Sequence, residues 1–150
     1  MQPVTKGLLA GAVGTIALNL ATYGDMLLRG RPSSEVPTQV AGRLADRAGV
    51  HLGDGEAKAN REQAVGTLLG YVTGLGVGAV YGLLRRGNGT LPAWAVGPLL
   101  GAAAMAGSDV PATALKVTDP TSWDLASWSS DLIPHLVYGL TTASVYQVMR

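Results

Sequence analysis

The chain has no cysteine, little charge and no real excess of either sign, and each shortage removes a class of function. Without cysteine there is no disulfide, no thiolate metal site, no cysteine nucleophile and no lipid-anchoring cysteine. Charged residues make up 14% of the 150 residues, and 11 lysines and arginines stand against 10 aspartates and glutamates, for a formal net charge of +1. That balance generates no field able to gather a polyanion, so no nucleic-acid partner is expected. His51 and His135 are too sparse for a metal site, and no cofactor is expected; a single haem ligand at His135 is the weaker alternative. No G-x-x-x-x-G-K-[ST] phosphate loop occurs, and Ser33, Ser34, Ser129 and Ser130 lack a G-x-S-x-G setting.

What the chain does have is apolar residues, 47% of the total, with a mean hydropathy of +0.26 held down because glycine and alanine fill the apolar runs. From Val65 to Leu84 it reads VGTLLGYVTGLGVGAVYGLL, with Gly66, Gly70, Gly74, Gly78 and Gly82 at every fourth position and Gly76 as an extra. In a helix surrounded by water each interior glycine costs roughly 1 kcal/mol relative to alanine, so this ladder would cost about 5 kcal/mol, a large share of a small domain's stability. Hydrocarbon reverses the argument. There the backbone must pair with itself, so the segment stays helical, and close approach of backbones becomes a main source of helix contact. Residues 65–84 therefore read as a transmembrane helix.

Three further spans follow from the same reasoning. Residues 7–28, between Lys6 and Arg29, extend about 33 Å at 1.5 Å per residue, against roughly 30 Å of hydrocarbon. Gly7, Gly11 and Gly14 set a stripe of small residues along this segment. A cleaved signal peptide is the rival reading, and the lack of a clean A-x-A site weighs against it. Residues 92–115 form the third span, with Pro92 at the first helical position, Trp94 at the interface, Gly97 and Gly101 for packing, and Asp109 and Pro111 interrupting the far half. Residues 132–149 form the fourth and carry Gly139. Most of the charge lies in residues 29–63, where Val40, Leu44 and Ala48 opposite Arg43, Asp46 and Arg47 predict a short amphipathic helix at the membrane surface or capping the bundle. Asp119 is placed to cap a short helix from Pro120, Trp123 and Trp128 suit interfacial anchors, and Gly87, Asn88 and Gly89 predict a tight turn.

The second and fourth spans share G-L-x-x-x-x-V-Y-x-x-x-R, Gly74 to Arg85 and Gly139 to Arg150, and the first and third open with similar glycine spacing. The expectation is an all-α, integral membrane four-helix bundle in one domain, built from two parallel helical-hairpin repeats, about 1–86 and 92–150, with short interfacial amphipathic helices. Lys6, Arg85, Arg86 and Arg150 lie on one side without acids, which favours cytoplasmic termini, although a strict count of lysine and arginine favours the other side. Arginine outnumbers lysine and alanine and glycine abound, as in GC-rich bacterial genomes, so the expected location is a bacterial inner membrane.

Asn19, Asp25, Asp109 and His135 are the polar residues inside or at the edge of spans and form the candidate intramembrane site, three of them toward the long-loop side. The bland alternative makes Asp25 an interfacial carboxylate near Arg29 and Asp109 a hydrogen-bonding group at a proline-kinked helix end. With G-x-x-x-G-x-x-G (Gly7, Gly11, Gly14), R-P-S-S-E-V-P (Arg31 to Pro37) and H-L-x-Y-G (His135 to Gly139), the chain resembles small bacterial inner-membrane proteins of the YagU-like kind. That resemblance implies a multi-pass helical membrane protein and supplies no activity. No catalytic constellation is present, so the expected role is a non-catalytic accessory or scaffold subunit, partnered by the lipid bilayer and by other membrane subunits or itself. The alternative is a small transporter or proton-linked carrier using Asp109 and His135.

Overall fold

The computed structural model describes residues 1–85 and 91–149, so the predicted turn at Gly87 to Gly89, Arg86 and Arg150 lie outside the described residues. Five α-helices and no strand are found among the described residues: α1 (Pro3–Arg29), α2 (Val36–Ala48), α3 (Gly55–Leu84), α4 (Ala93–Ala114) and α5 (Leu125–Val148), with a 3₁₀ turn at Pro120–Ser122 before α5. Pro3 sits where a helix has no use for its N–H, and Gly30 at φ 63° ends α1 in the left-handed conformation that glycine tolerates.

Two helices start well ahead of their apolar stretches, and α1 starts about one turn ahead, at Pro3. α3 begins at Gly55 rather than Val65, and α5 at Leu125 rather than Leu132. The added turns contain helix formers such as Glu56, Ala57, Lys58 and Arg61; hydropathy marks only the apolar part of a helix, while backbone pairing continues into polar sequence. A third difference concerns α4, which runs unbroken through Asp109 and Pro111, with Pro98 also inside it. Each proline removes one helical hydrogen bond, and packing of α4 along α5 offsets the loss.

The predicted cap at Asp119 is present: its carboxylate accepts from the Thr121 N–H at 3.0 Å. Asp124 caps α5 in the same way, accepting from Ser127 N–H at 2.7 Å. These hydrogen bonds hold both carboxyls below the usual carboxylate range. A folded-state pKa that is depressed stabilises the fold at pH above the ordinary carboxylate value, and the contribution fades as acid protonates the group. The first turn of α5 should therefore fray in strong acid, and in Asp124→Ala at every pH. The Ser127 amide resonance reports both, and a variant indistinguishable from the parent at neutral pH would contradict the capping role.

α1 lies against α3 and α5, α4 packs on α5, and α2 lies across α3 and touches α4. The interior is made of small residues and tyrosine: Ala10, Ala104, Ala112 and Ala143 are buried, and Tyr138 and Thr142 are the largest fully buried side chains. Val40, Val96, Leu100 and Leu115 join them, but the large aliphatics of α1 and α3 point outward. On α1, Leu20 is 69% and Leu27 83% exposed; on α3, Leu68 is 61% and Val72 65% exposed. α1 and α3 are long and apolar enough to cross a membrane, with segment hydropathies of 1.4 and 1.5, and only 28% and 22% of those segments is buried inside the protein.

Candidate functional site

Asp109 and His135 do come together. Asp109, near the end of α4, faces Asp131 and His135, which stand one turn apart on α5. The His135 Nδ1 lies 2.8 Å from the Asp131 carbonyl oxygen and 3.3 Å from Asp131 Oδ1. A carbonyl can only accept, so Nδ1 carries the proton and donates to it, which leaves Nε2 as the free position of the neutral ring. Asp131 Oδ2 is buried and has no hydrogen-bond partner among the described residues. Pro134, between the two, has no N–H to give to the preceding turn, which loosens the backbone at the level where the imidazole turns back on Asp131. Chemically, two carboxyls and an imidazole can exchange protons. Among the described residues no three His, Cys, Asp or Glu side chains are grouped as a metal ion would require.

Asp25 does not join this cluster. Its carboxylate takes the Arg29 Nε at 2.6 Å and the Arg31 Nε at 2.5 Å, so the turn at Gly30 folds a second guanidinium back onto an acid one helical turn from the first. Arg29 also donates to the Ser130 hydroxyl, tying the end of α1 to the start of α5. Two arginines satisfy this partly buried carboxylate, and no contact among the described residues ties it to Asp109 or His135. Asn19 is half-buried on α1 and makes no side-chain hydrogen bond among the described residues.

The glycines separate by position. A Cβ at Gly11 would lie 2.6 Å from the Gly74 carbonyl oxygen, and one at Gly78 would lie 2.8 Å from the Gly11 Cα. Gly7 meets Gly78, and Gly82 meets the Pro3 carbonyl, so α1 and α3 touch backbone to backbone along this seam. α4 and α5 repeat the arrangement, with Gly97 and Gly101 against Gly139 and the His135 carbonyl. Gly14 leaves room for Tyr138, and Gly66 packs on the Pro37 carbonyl of α2. Gly70 and Gly76 differ: nothing lies within 4 Å of a Cβ at either.

Two residues central to these contacts are absent from the sequence-based list. Asp131 falls just outside the apolar stretch that defines the fourth span, and its i, i+4 spacing to His135 is the signal that would have included it. Tyr138 is fully buried, with its hydroxyl donating to the Gly74 carbonyl of α3 at 2.6 Å. Its partner is 64 residues away, and although H-L-x-Y-G contains this tyrosine, nothing in that motif points to the partner. No protein-family model, no curated protein and no solved structure matches this chain.

Proposed function

We propose that the chain is a multi-pass protein of a bacterial inner membrane, a four-helix bundle of two parallel hairpins with its ends on the cytoplasmic side, acting without catalysis as an accessory or scaffold subunit. The observation that carries this reading is the inverted distribution of side-chain size. Leucine and valine line the outside of α1 and α3, while glycine, alanine and threonine fill the inside. In water this would place the strongest hydrophobic groups where they gain least; in lipid it allows backbones to meet and leaves the aliphatics in a solvent as apolar as themselves. α4 and α5 are shorter in purely apolar sequence, and the reading takes them as the third and fourth spans because they pack alongside the first two.

The hairpin repeat draws support from two symmetrical features. Both α1–α3 and α4–α5 meet through glycine backbones, and Tyr81 packs against Tyr146, the pair aligned by the repeated motif, with ring centres 4.8 Å apart and planes tilted by 60°. Tyr138 and Tyr146 each donate to a glycine carbonyl of α3, at Gly74 and Gly82. The unpartnered small-residue positions Gly70 and Gly76 on α3 suit contact with another membrane subunit or a second copy. The likeness to YagU-like proteins adds a layout and no activity.

Fractionation tests the reading directly. The protein should sediment with membranes, resist an alkaline wash and leave them only with detergent, and should then copurify in fixed ratio with a larger membrane protein or as an oligomer. A monodisperse product in detergent-free supernatant would overturn it. The Asp109, Asp131 and His135 cluster favours a second reading, a proton-linked carrier: solute flux by the purified protein alone, lost in Asp109→Asn, would replace the scaffold role with transport.

A further inference from the structure

We propose that a cleft between α2 and the end of α4 binds the phosphate of an anionic phospholipid headgroup. The cleft, about 400 Å³, is lined by Arg43, Asp46, Arg47, Leu115 and Lys116. This inference rests on the membrane reading above, since it assigns the ligand to the lipid surface at which that reading puts α2.

The local sequence explains why the cations converge. Val40, Ala41 and Gly42 bury one face of α2, with Val40 packed against Ala112 and Leu115 of α4. Arg43 and Arg47, one helical turn apart, are left on the accessible side, beside the turn that ends α4. That turn holds the second observation. α2 and α4 end in the same hydrogen-bonded motif: Gly49 N–H donates to Asp46 and Val50 N–H to Ala45 in α2, while Lys116 N–H donates to Thr113 and Val117 N–H to Ala112 in α4. In α2 the left-handed position is glycine at φ 67°; in α4 it is Lys116 at φ 56°, the one non-glycine residue with positive φ among the described residues. A lysine strained into a position where glycine is the default places an ammonium on the cleft wall.

Arg43, Arg47 and Lys116 belong to the cations that no acid holds among the described residues. Arg29 and Arg31 are bound by Asp25, Lys58 pairs with Glu62 at 3.7 Å, and Arg61 donates to the Leu52 carbonyl. Arg43, Arg47 and Lys116 make no ion pair among the described residues, although Asp46 stands in the same wall. Three unpaired cations against one carboxylate leave a surplus positive field, and guanidinium forks match the oxygens of a phosphate diester. The Trp123–Trp128 pair, in the segment that follows Lys116, is of the amphipathic kind that settles at headgroup depth. Basic side chains at that depth pair directly with anionic headgroups.

The test uses the full chain purified in mild detergent. Dihexanoyl phosphatidylglycerol, dihexanoyl phosphatidylcholine and inorganic phosphate are titrated separately while thermal unfolding is followed and retained lipid is counted by native mass spectrometry. The expected result is saturable stabilisation by phosphatidylglycerol with retained lipid, and at least about tenfold weaker effects of the other two. Lys116→Gly relieves the backbone strain, so it should fold at least as well as the parent yet bind phosphatidylglycerol about tenfold more weakly; Arg43→Gln with Arg47→Gln should lose the effect. Equal response to the two lipids, or unchanged binding in both variants, would overturn the site. Phosphate alone binding as tightly as phosphatidylglycerol would make the ligand a free anion and overturn the headgroup assignment. Failure of the membrane reading is separately visible, because the chain would then not enter phosphatidylcholine vesicles at all.

Discussion

Gly78→Ile should separate α1 from α3, while Gly70→Ile, in the same ladder, should leave the protein folded. A Cβ at Gly78 meets the Gly11 Cα at 2.8 Å and the Gly11 nitrogen at 3.0 Å, both backbone atoms that cannot rotate away. At Gly70 it meets nothing within 4 Å. Isoleucine is the better helix former and the more apolar residue, so propensity and insertion both favour it over glycine, by less than about 1 kcal/mol from helix propensity. Steric conflict between two backbones outweighs that gain: overpacking in a yielding core already costs about 1 to 3 kcal/mol, and this contact is not yielding. Unfolding followed by circular dichroism as a denaturing detergent is titrated against a mild one should give a lower midpoint for Gly78→Ile by the equivalent of about 3 kcal/mol, with the Gly70 variant at or above the parent. Equal midpoints for the two variants would remove the backbone seam from the account of stability.

Tyr138→Ala is expected to be the most damaging single truncation. The ring is fully buried where α1, α3 and α5 meet: Gly14 of α1 and Gly74 of α3 leave the space it fills, and its hydroxyl reaches the Gly74 carbonyl. Removing an aromatic ring from a closed interior costs about 3 to 5 kcal/mol, because glycine neighbours have no side chains with which to fill the void. Tyr138→Phe keeps the volume and removes one hydrogen bond, for about 1 kcal/mol. The ratio of these two effects distinguishes packing from polar anchoring, and comparable losses from both would show that the hydroxyl, rather than the ring, holds the three helices together.

Much of this architecture was legible locally. Helix content, the short helix α2, the Asp119 cap and the apolarity of α1 and α3 depend on spacing and composition within a few turns, which the chain carries along its length. Where the helices begin was less legible. The polar first turns of α3 and α5 continue the helix beyond the apolar run, and apolarity reports solvent rather than backbone pairing.

The four-residue recurrence of the glycines and the high apolar share are written along the chain. What each glycine meets follows from helix docking: Gly74 and Gly78 press on α1, Gly66 on α2, and Gly70 on nothing. The fold likewise gave Asp25 to two arginines and left Asp109 to Asp131 and His135, though all are acids at helix ends. The reason is physical. Spacing along a helix sets which residues share a face, but the partner of that face depends on the rotation and height at which a distant helix docks, and those follow from all contacts together.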